Sequence, residues 1–187
     1  MERALVLVKP DGVERGLVGR VISRFETAGL KVIAIKMVKA SREMAGKHYI
    51  DDDEWLLSVG KKTKQSYVEK GIKSTKTERE IGLWVRSMLM DEITRIPVVA
   101  IVFEGNSANE VARKIAGATE PRKADPASIR GTYSCDSYAA ADNSKRPVRN
   151  IVHVSESSVA AEREMKVWFG KQELQSYRRA DEDIMYK

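Results

Sequence analysis

Four short apolar runs, rich in β-branched residues, alternate along this chain with stretches of helical period, and that alternation narrows the fold more than any other feature. Ala4 to Val8 is a buried-strand pattern closed by the turn Lys9-Pro-Asp-Gly12. Leu17, Val18, Val21, Ile22 and Phe25 then recur at helical spacing, with Gly29 as the stop. Val32 to Val38 reads as a second strand, and Ser41 as the cap of a short helix running to about Tyr49. Asp51 to Glu54 reads as an acidic loop. Residues 75–94 carry two capping-box spacings, Thr75/Glu78 and Thr77/Glu80, before an apolar stripe of Ile81, Trp84, Val85, Met88 and Leu89. Pro97 to Phe103 is the third strand, and Ser107 with Glu110 boxes a helix that ends at Gly117. Residues 118–147 have no period and read as a long loop. Val148 to Val152 is the fourth strand, and Ala161, Met165 and Trp168 mark the last long helix. The order β-α-β-(α)-β-α-β predicts an α+β, ferredoxin-like split βαβ fold, with a small doubly wound sheet almost as compatible.

At 187 residues the chain fits one domain, with a helical insertion expected at 58–95, an extended loop at 136–147 and a charged tail at 176–187. Its one cysteine, Cys135, excludes an intramolecular disulfide framework and a Cys-based zinc site. The first apolar stretch is too short for a signal sequence, and no run approaches the roughly 18 apolar residues of a membrane span, so the expected setting is cytoplasmic. The net charge of +6 is concentrated at 60–95, which holds nine Lys/Arg against five acids. A solvated helical face explains this better than a nucleic-acid surface, because few aromatics are available for base stacking.

The chain holds only two histidines. His153 ends a β-branched run just before a Ser-rich turn, where a strand edge presents a side chain instead of burying it. Its unperturbed pKa of about 6.5 leaves a neutral, nucleophilic ring near pH 7. His48, next to Tyr49, reads as a surface or packing residue. There is no P-loop, no His-Glu-x-x-His, and Gly12-x-x-x-Gly16-x-x-Gly19 has the wrong spacing for a dinucleotide fingerprint. Lys9, Arg15, Arg113, Arg122, Arg130 and Arg149 sit at turns. Several of them converging on one histidine would make a polyanion site, since guanidinium and ammonium groups neutralise phosphate oxygens.

Five motifs in order carry a specific resemblance. They are Lys9-Pro-Asp-Gly-Val-x-Arg-Gly-Leu-Val-Gly19; Gly105…Arg113…Gly117-Ala-Thr119-x-Pro121; Ser128-Ile-Arg130-Gly131; Arg149-Asn150-Ile-Val-His153-x-Ser155; and Ala-Glu-Arg-Glu164…Trp168-Phe169. Together they resemble the nucleoside diphosphate kinase family. The resemblance implies a split βαβ fold and transfer of the γ-phosphoryl group from a nucleoside triphosphate to a nucleoside diphosphate, with Mg²⁺ on the nucleotide. It implies His153 as nucleophile, oriented by Glu164 and Ser155. Lys9, Tyr49, Arg113, Thr119 and Arg130 match the phosphate-contacting and catalytic-pocket positions, and Lys9 and Asn150 match the pair that also meets the ribose hydroxyls. Trp55, Leu56 and Leu57 all fall near the base-stacking position. Leu57 is carried as a nucleotide-binding residue, although Trp55 would stack best. The implied partners are nucleoside di- and triphosphates and a homo-oligomer, with the hexamer favoured.

The chain departs from the family pattern at four places. Val154 follows the histidine where glycine is usual, so the turn there is expected to stay in the β region. Glu156 replaces an aspartate, and Ser128 replaces a threonine with its hydroxyl kept. Glu120 stands where asparagine is usual and is expected to weaken nucleotide affinity modestly through its charge.

Overall fold

In a computed structural model, residues 1–69 and 71–186 are described; Lys70 of the basic stretch and Lys187 of the tail lie outside them. Four strands form one antiparallel sheet: β1 (Glu2–Val8), β2 (Lys31–Val38), β3 (Val98–Gly105) and β4 (Val152–Val154), in the order β2-β3-β1-β4. This is the split βαβ arrangement.

Period-two alternation sorts the central strand between two cores. Ala4, Val6 and Val8 of β1 face one side, against α2 (Val18–Thr27) and α6 (Ala108–Ala116). Leu5 and Leu7 face the other, against α3 (Arg42–His48), α5 (Glu78–Thr94) and α9 (Ser158–Trp168). Burial on both faces explains why the strands read as continuous apolar runs. Val152 and Val154 belong to the first core and Leu7 pairs with His153, so the pleat turns His153 toward the side of α3 and α9.

Several local expectations need correction. The fourth strand is Val152–Val154, displaced from the expected 148–152. Its start is set by Ile151, whose φ of 70° and Val152 N–H···O=C Asn150 bond of 2.7 Å make a tight γ-turn of the positive-φ kind. Val154, by contrast, lies within the strand, in line with its expected β conformation. Ser107 has φ 46° and caps nothing with its side chain. The acidic loop is partly helical, because α4 (Asp53–Glu69) begins inside it, with Asp52 Oδ1 accepting the Trp55 N–H at 2.9 Å. Only the second capping box forms: Thr77 and Glu80 close α5 reciprocally. The stretch 118–147 contains a 3-10 turn (Pro121–Lys123), α7 (Ile129–Tyr133) and α8 (Tyr138–Asn143). Ser128 and Ser137 cap the two helices, which are too short to register as a period.

Helices α4 and α5 form a close antiparallel hairpin. A Cβ on Gly60 would sit 1.8 Å from the Glu78 carbonyl oxygen, and one on Gly82 would sit 2.3 Å from that of Leu56. The tail packs back through α10 (Glu182–Tyr186): buried Lys31 Nζ meets Glu104 Oε1 at 3.2 Å, Glu182 Oε1 at 2.8 Å and the Tyr177 carbonyl at 2.8 Å. Among the described residues, no helix is long and apolar enough to cross a membrane.

Candidate active site

The site is assembled where α1 (Pro10–Glu14), the turn before β4 and the 117–130 segment meet. The Ile151 turn is fixed from the far end of the chain. Its N–H donates to Asp11 Oδ2 at 2.8 Å, and its carbonyl accepts the Lys9 N–H at 2.8 Å. A β-branched residue at positive φ is strained, and these two bonds hold it there.

Asn150, immediately before it, links three segments. Its Oδ1 accepts from Lys9 Nζ at 2.8 Å, and its Nδ2 donates to the Thr119 carbonyl at 2.9 Å. Arg130, in the first turn of α7, donates to the Gly117 carbonyl at 2.6 Å and to the Val152 carbonyl at 2.8 Å. The carbonyl just ahead of His153 is thereby tied to the 117–130 segment. Lys9 and Arg130 are both buried, and burial lowers both pKa values, that of Arg130 to about 10. Arg130 remains a cation at neutral pH. Arg113 and Thr119 are exposed at the rim, with Arg113 close enough to Arg130 to depress its pKa further.

His153 is partly exposed, its side chain 23% accessible, and its Nε2 lies 2.8 Å from Glu164 Oε2. The same oxygen accepts the Ser155 hydroxyl at 2.8 Å, and Arg163 donates to Oε1 at 3.3 Å. Burial acts to raise the Glu164 pKa, but these bonds and the two imidazoles prevail and hold it near 2. An ionised carboxylate at Nε2 assigns the proton to that nitrogen. Nδ1, which makes no protein hydrogen bond among the described residues, keeps its lone pair.

Of the two readings of the other histidine, burial leaves packing and removes surface. What the sequence did not disclose is its neighbour: His48 stands edge-on to His153 with ring centroids 4.5 Å apart. Tyr49 stacks edge-on against His48 in turn, at 4.6 Å, and burial pushes its phenol pKa up. The one available signal was the i, i+4 pair Glu164 and Trp168, which puts a carboxylate and an indole on one helix face. Leu56 is fully buried against the hairpin and drops out as a stacking residue, whereas Leu57 is 44% exposed and Trp55 half-buried. Glu120 is buried, with Lys123 Nζ at 3.0 Å and the Tyr138 N–H at 3.3 Å, so its charge is locally balanced.

His48, His153 and Glu164 bring one potential metal-ligand atom each within 4.8 Å of one another. Glu164 is already committed to His153 and Ser155, and His48 meets His153 by ring contact alone, so the trio is not an open ligand set. A free imidazole nitrogen beside buried cations suits passage of an anionic group across the ring, the chemistry of phosphohistidine transferases.

Comparison with known proteins narrows this to one family. The sequence profile described as nucleoside diphosphate kinase matches residues 2–56 and 73–174. The nucleoside diphosphate kinase of Pyrobaculum aerophilum is 45% identical over 179 residues, spanning 93% of this chain and 98% of that protein. The enzyme of Archaeoglobus fulgidus is 40% identical over 187 residues, spanning 100% of this chain and 99% of its own. Among solved structures, an NDP kinase from Pyrobaculum aerophilum superposes with a TM-score of 0.91 at 43% identity, covering 94% of this chain and 99% of that one. The Borrelia burgdorferi nucleoside-diphosphate kinase, captured as a transition-state mimic with vanadate and ADP, superposes at 0.80 with 36% identity, covering 99% and 96%. The chain belongs to the nucleoside diphosphate kinase family.

Proposed function

We propose that His153 is the residue through which this nucleoside diphosphate kinase passes the γ-phosphoryl group. The observation that carries the reading is the Glu164 carboxylate on Nε2, which leaves Nδ1 as the nucleophile. Nδ1 attacks the γ-phosphorus, an N–P bond forms, the bond to the β–γ bridging oxygen breaks, and the nucleoside diphosphate departs. A second nucleoside diphosphate then attacks the same phosphorus and restores the ring. One nucleotide site serves both half-reactions, which is ping-pong logic. The phosphoryl group in flight carries its charge on equatorial oxygens, and Lys9, Arg113 and Arg130 are the cations placed to stabilise it. Asn150 with Lys9 is assigned the ribose hydroxyls, and Thr119 and Tyr49 line the pocket. The base is assigned to Leu57 or Trp55 on α4.

The nearby carboxylates fit a cation carried by the substrate. Glu164 is bound to His153 and Ser155, Asp11 holds the Ile151 N–H, and Asp136 is clasped by Arg146 at 2.6 Å. Mg²⁺ would therefore ride on nucleotide phosphates and water, where it would neutralise oxygen charge. Self-association is supported by Ile35 and Met37, which are 50% and 61% exposed on the edge strand β2. Light scattering tests the expected hexamer, and a monomer would remove that part of the reading. Membership of the family supports a cytoplasmic setting.

Incubation with γ-labelled ATP and Mg²⁺ is expected to leave acid-labile, alkali-stable label on the protein and none on His153→Ala. Unlabelled wild-type protein, or label that survives the substitution, would overturn the assignment.

A further inference from the structure

We infer that His48 is a positioning residue for the nucleophile: a neutral ring, keyed by Trp168, that holds the His153 imidazole in the orientation facing Glu164. The inference rests on His153 being the phosphoryl acceptor.

The two histidine rings meet edge-on at 78° with centroids 4.5 Å apart, and the His48 side chain is fully buried. Trp168 Nε1 donates to His48 Nδ1 at 3.3 Å. An indole nitrogen only donates, so Nδ1 holds the lone pair and Nε2 the proton. Helix α9 thus grips both rings from one face. Glu164 takes Nε2 of His153, and Trp168, one turn on, takes Nδ1 of His48. The contacts form a closed circuit of His153, Glu164, the helix, Trp168 and His48. Tilting the His153 ring means displacing His48, and His48 is pinned by Trp168 and braced by Tyr49.

The keying also protects Glu164. Its Oε2 lies 3.7 Å from His48 Nδ1. With the proton on Nδ1, His48 would compete with His153 and Ser155 for that oxygen. The groups facing His48 are Glu164 and Arg163 from α9, His153 from β4, and Tyr49 at the end of its own helix. Burial foremost, then His153 and Arg163, outweigh the attraction of Glu164 and lower the His48 pKa to about 3. A filler residue would satisfy the packing alone, whereas an acceptor aimed at Trp168 satisfies the circuit.

A double-mutant cycle separates the two. His48→Phe keeps a ring without an acceptor, and Trp168→Phe keeps an aromatic without a donor. In folded protein, each is expected to lower kcat by about 10-fold or more with the KM for ATP within about two-fold, because His48 makes its ring contacts and its hydrogen bond with Tyr49, His153 and Trp168 and not with the cations Lys9, Arg113 and Arg130. The double variant is expected to lose little beyond either single one, as for two residues of one unit. Wild-type kcat in either variant, or losses that multiply, would reduce His48 to packing and overturn the inference. Label from γ-labelled ATP is followed in every variant. If it never appears on His153 of wild type, the underlying assignment has failed instead. Should the variants not fold, the histidine ring resonances of wild-type protein decide: the inference requires neutral Nε2–H imidazole at His48 across about pH 5–8. An Nδ1–H tautomer, or titration in that interval, would refute it.

Discussion

At the scale of single residues, the chemistry depends on which groups are kept neutral and which are kept charged. His48 carries a folded pKa of about 3 against an ordinary value of 6.5. The unfolded chain therefore takes up a proton that the folded chain refuses, and stability present above about pH 6.5 drains away as pH falls toward 3. The slope expected from this group is about 1.4 kcal/mol per pH unit within that window. Glu164, held near 2 by His153 and Ser155, adds a loss of the same sign as pH falls below the ordinary carboxylate range. Urea midpoints measured at about pH 7 and pH 5 should show wild-type protein weakening, and His48→Phe should flatten the slope. The sequence could not disclose this, since the indole that fixes His48 lies 120 residues away. Lys9, Arg130 and Asn150 are singled out in the sequence by the family resemblance of the short motifs that hold them, and the fold brings Lys9 Nζ to Asn150 Oδ1 at 2.8 Å.

At the scale of elements, α4 and α5 are pressed together at two glycines whose places no other residue could take. Gly60 and Gly82 both lie within helices, where each costs roughly 1 kcal/mol in propensity relative to alanine. If propensity governed, Gly82→Ala would stabilise the protein. The 2.3 Å approach to the Leu56 carbonyl predicts the reverse: the hairpin must open, with a loss of about 2 kcal/mol and a melting temperature lower by several degrees. Calorimetry on the single variant gives the sign. Strand existence was readable throughout, because burial on both faces of the sheet leaves uninterrupted apolar runs. Strand β4 starts four residues and ends two residues later than expected because Val148 to Val152 looks equally apolar. The boundary is set by the Ile151 turn, and that turn by a carboxylate 140 residues upstream.

At the scale of the molecule, the C-terminal segment is a surface strap, with no buried residue in α10, fastened to a buried lysine. Lys31 is almost wholly buried and shares its charge among Glu104, Glu182 and the Tyr177 carbonyl. Removing residues 176–187 strips two of these three partners and is expected to lower the melting temperature by several degrees while leaving kcat in place, because the strap lies away from His153. A large fall in kcat with unchanged melting would assign the segment to the site instead. The sequence marks this stretch as a charged tail, and its pairing with Lys31 could not be read from charge alone.

The bond between Asp11 and the Ile151 turn bears finally on how activity is acquired during synthesis. On the proposed reading of His153 as nucleophile, its backbone is set only when the first strand and the last strand lie side by side, so a growing chain holds the proposed binding residues up to Arg130 well before it can be phosphorylated. Label on His153 is then a timer for completion of the whole topology, and in refolding it should appear with the slowest structural phase and no earlier.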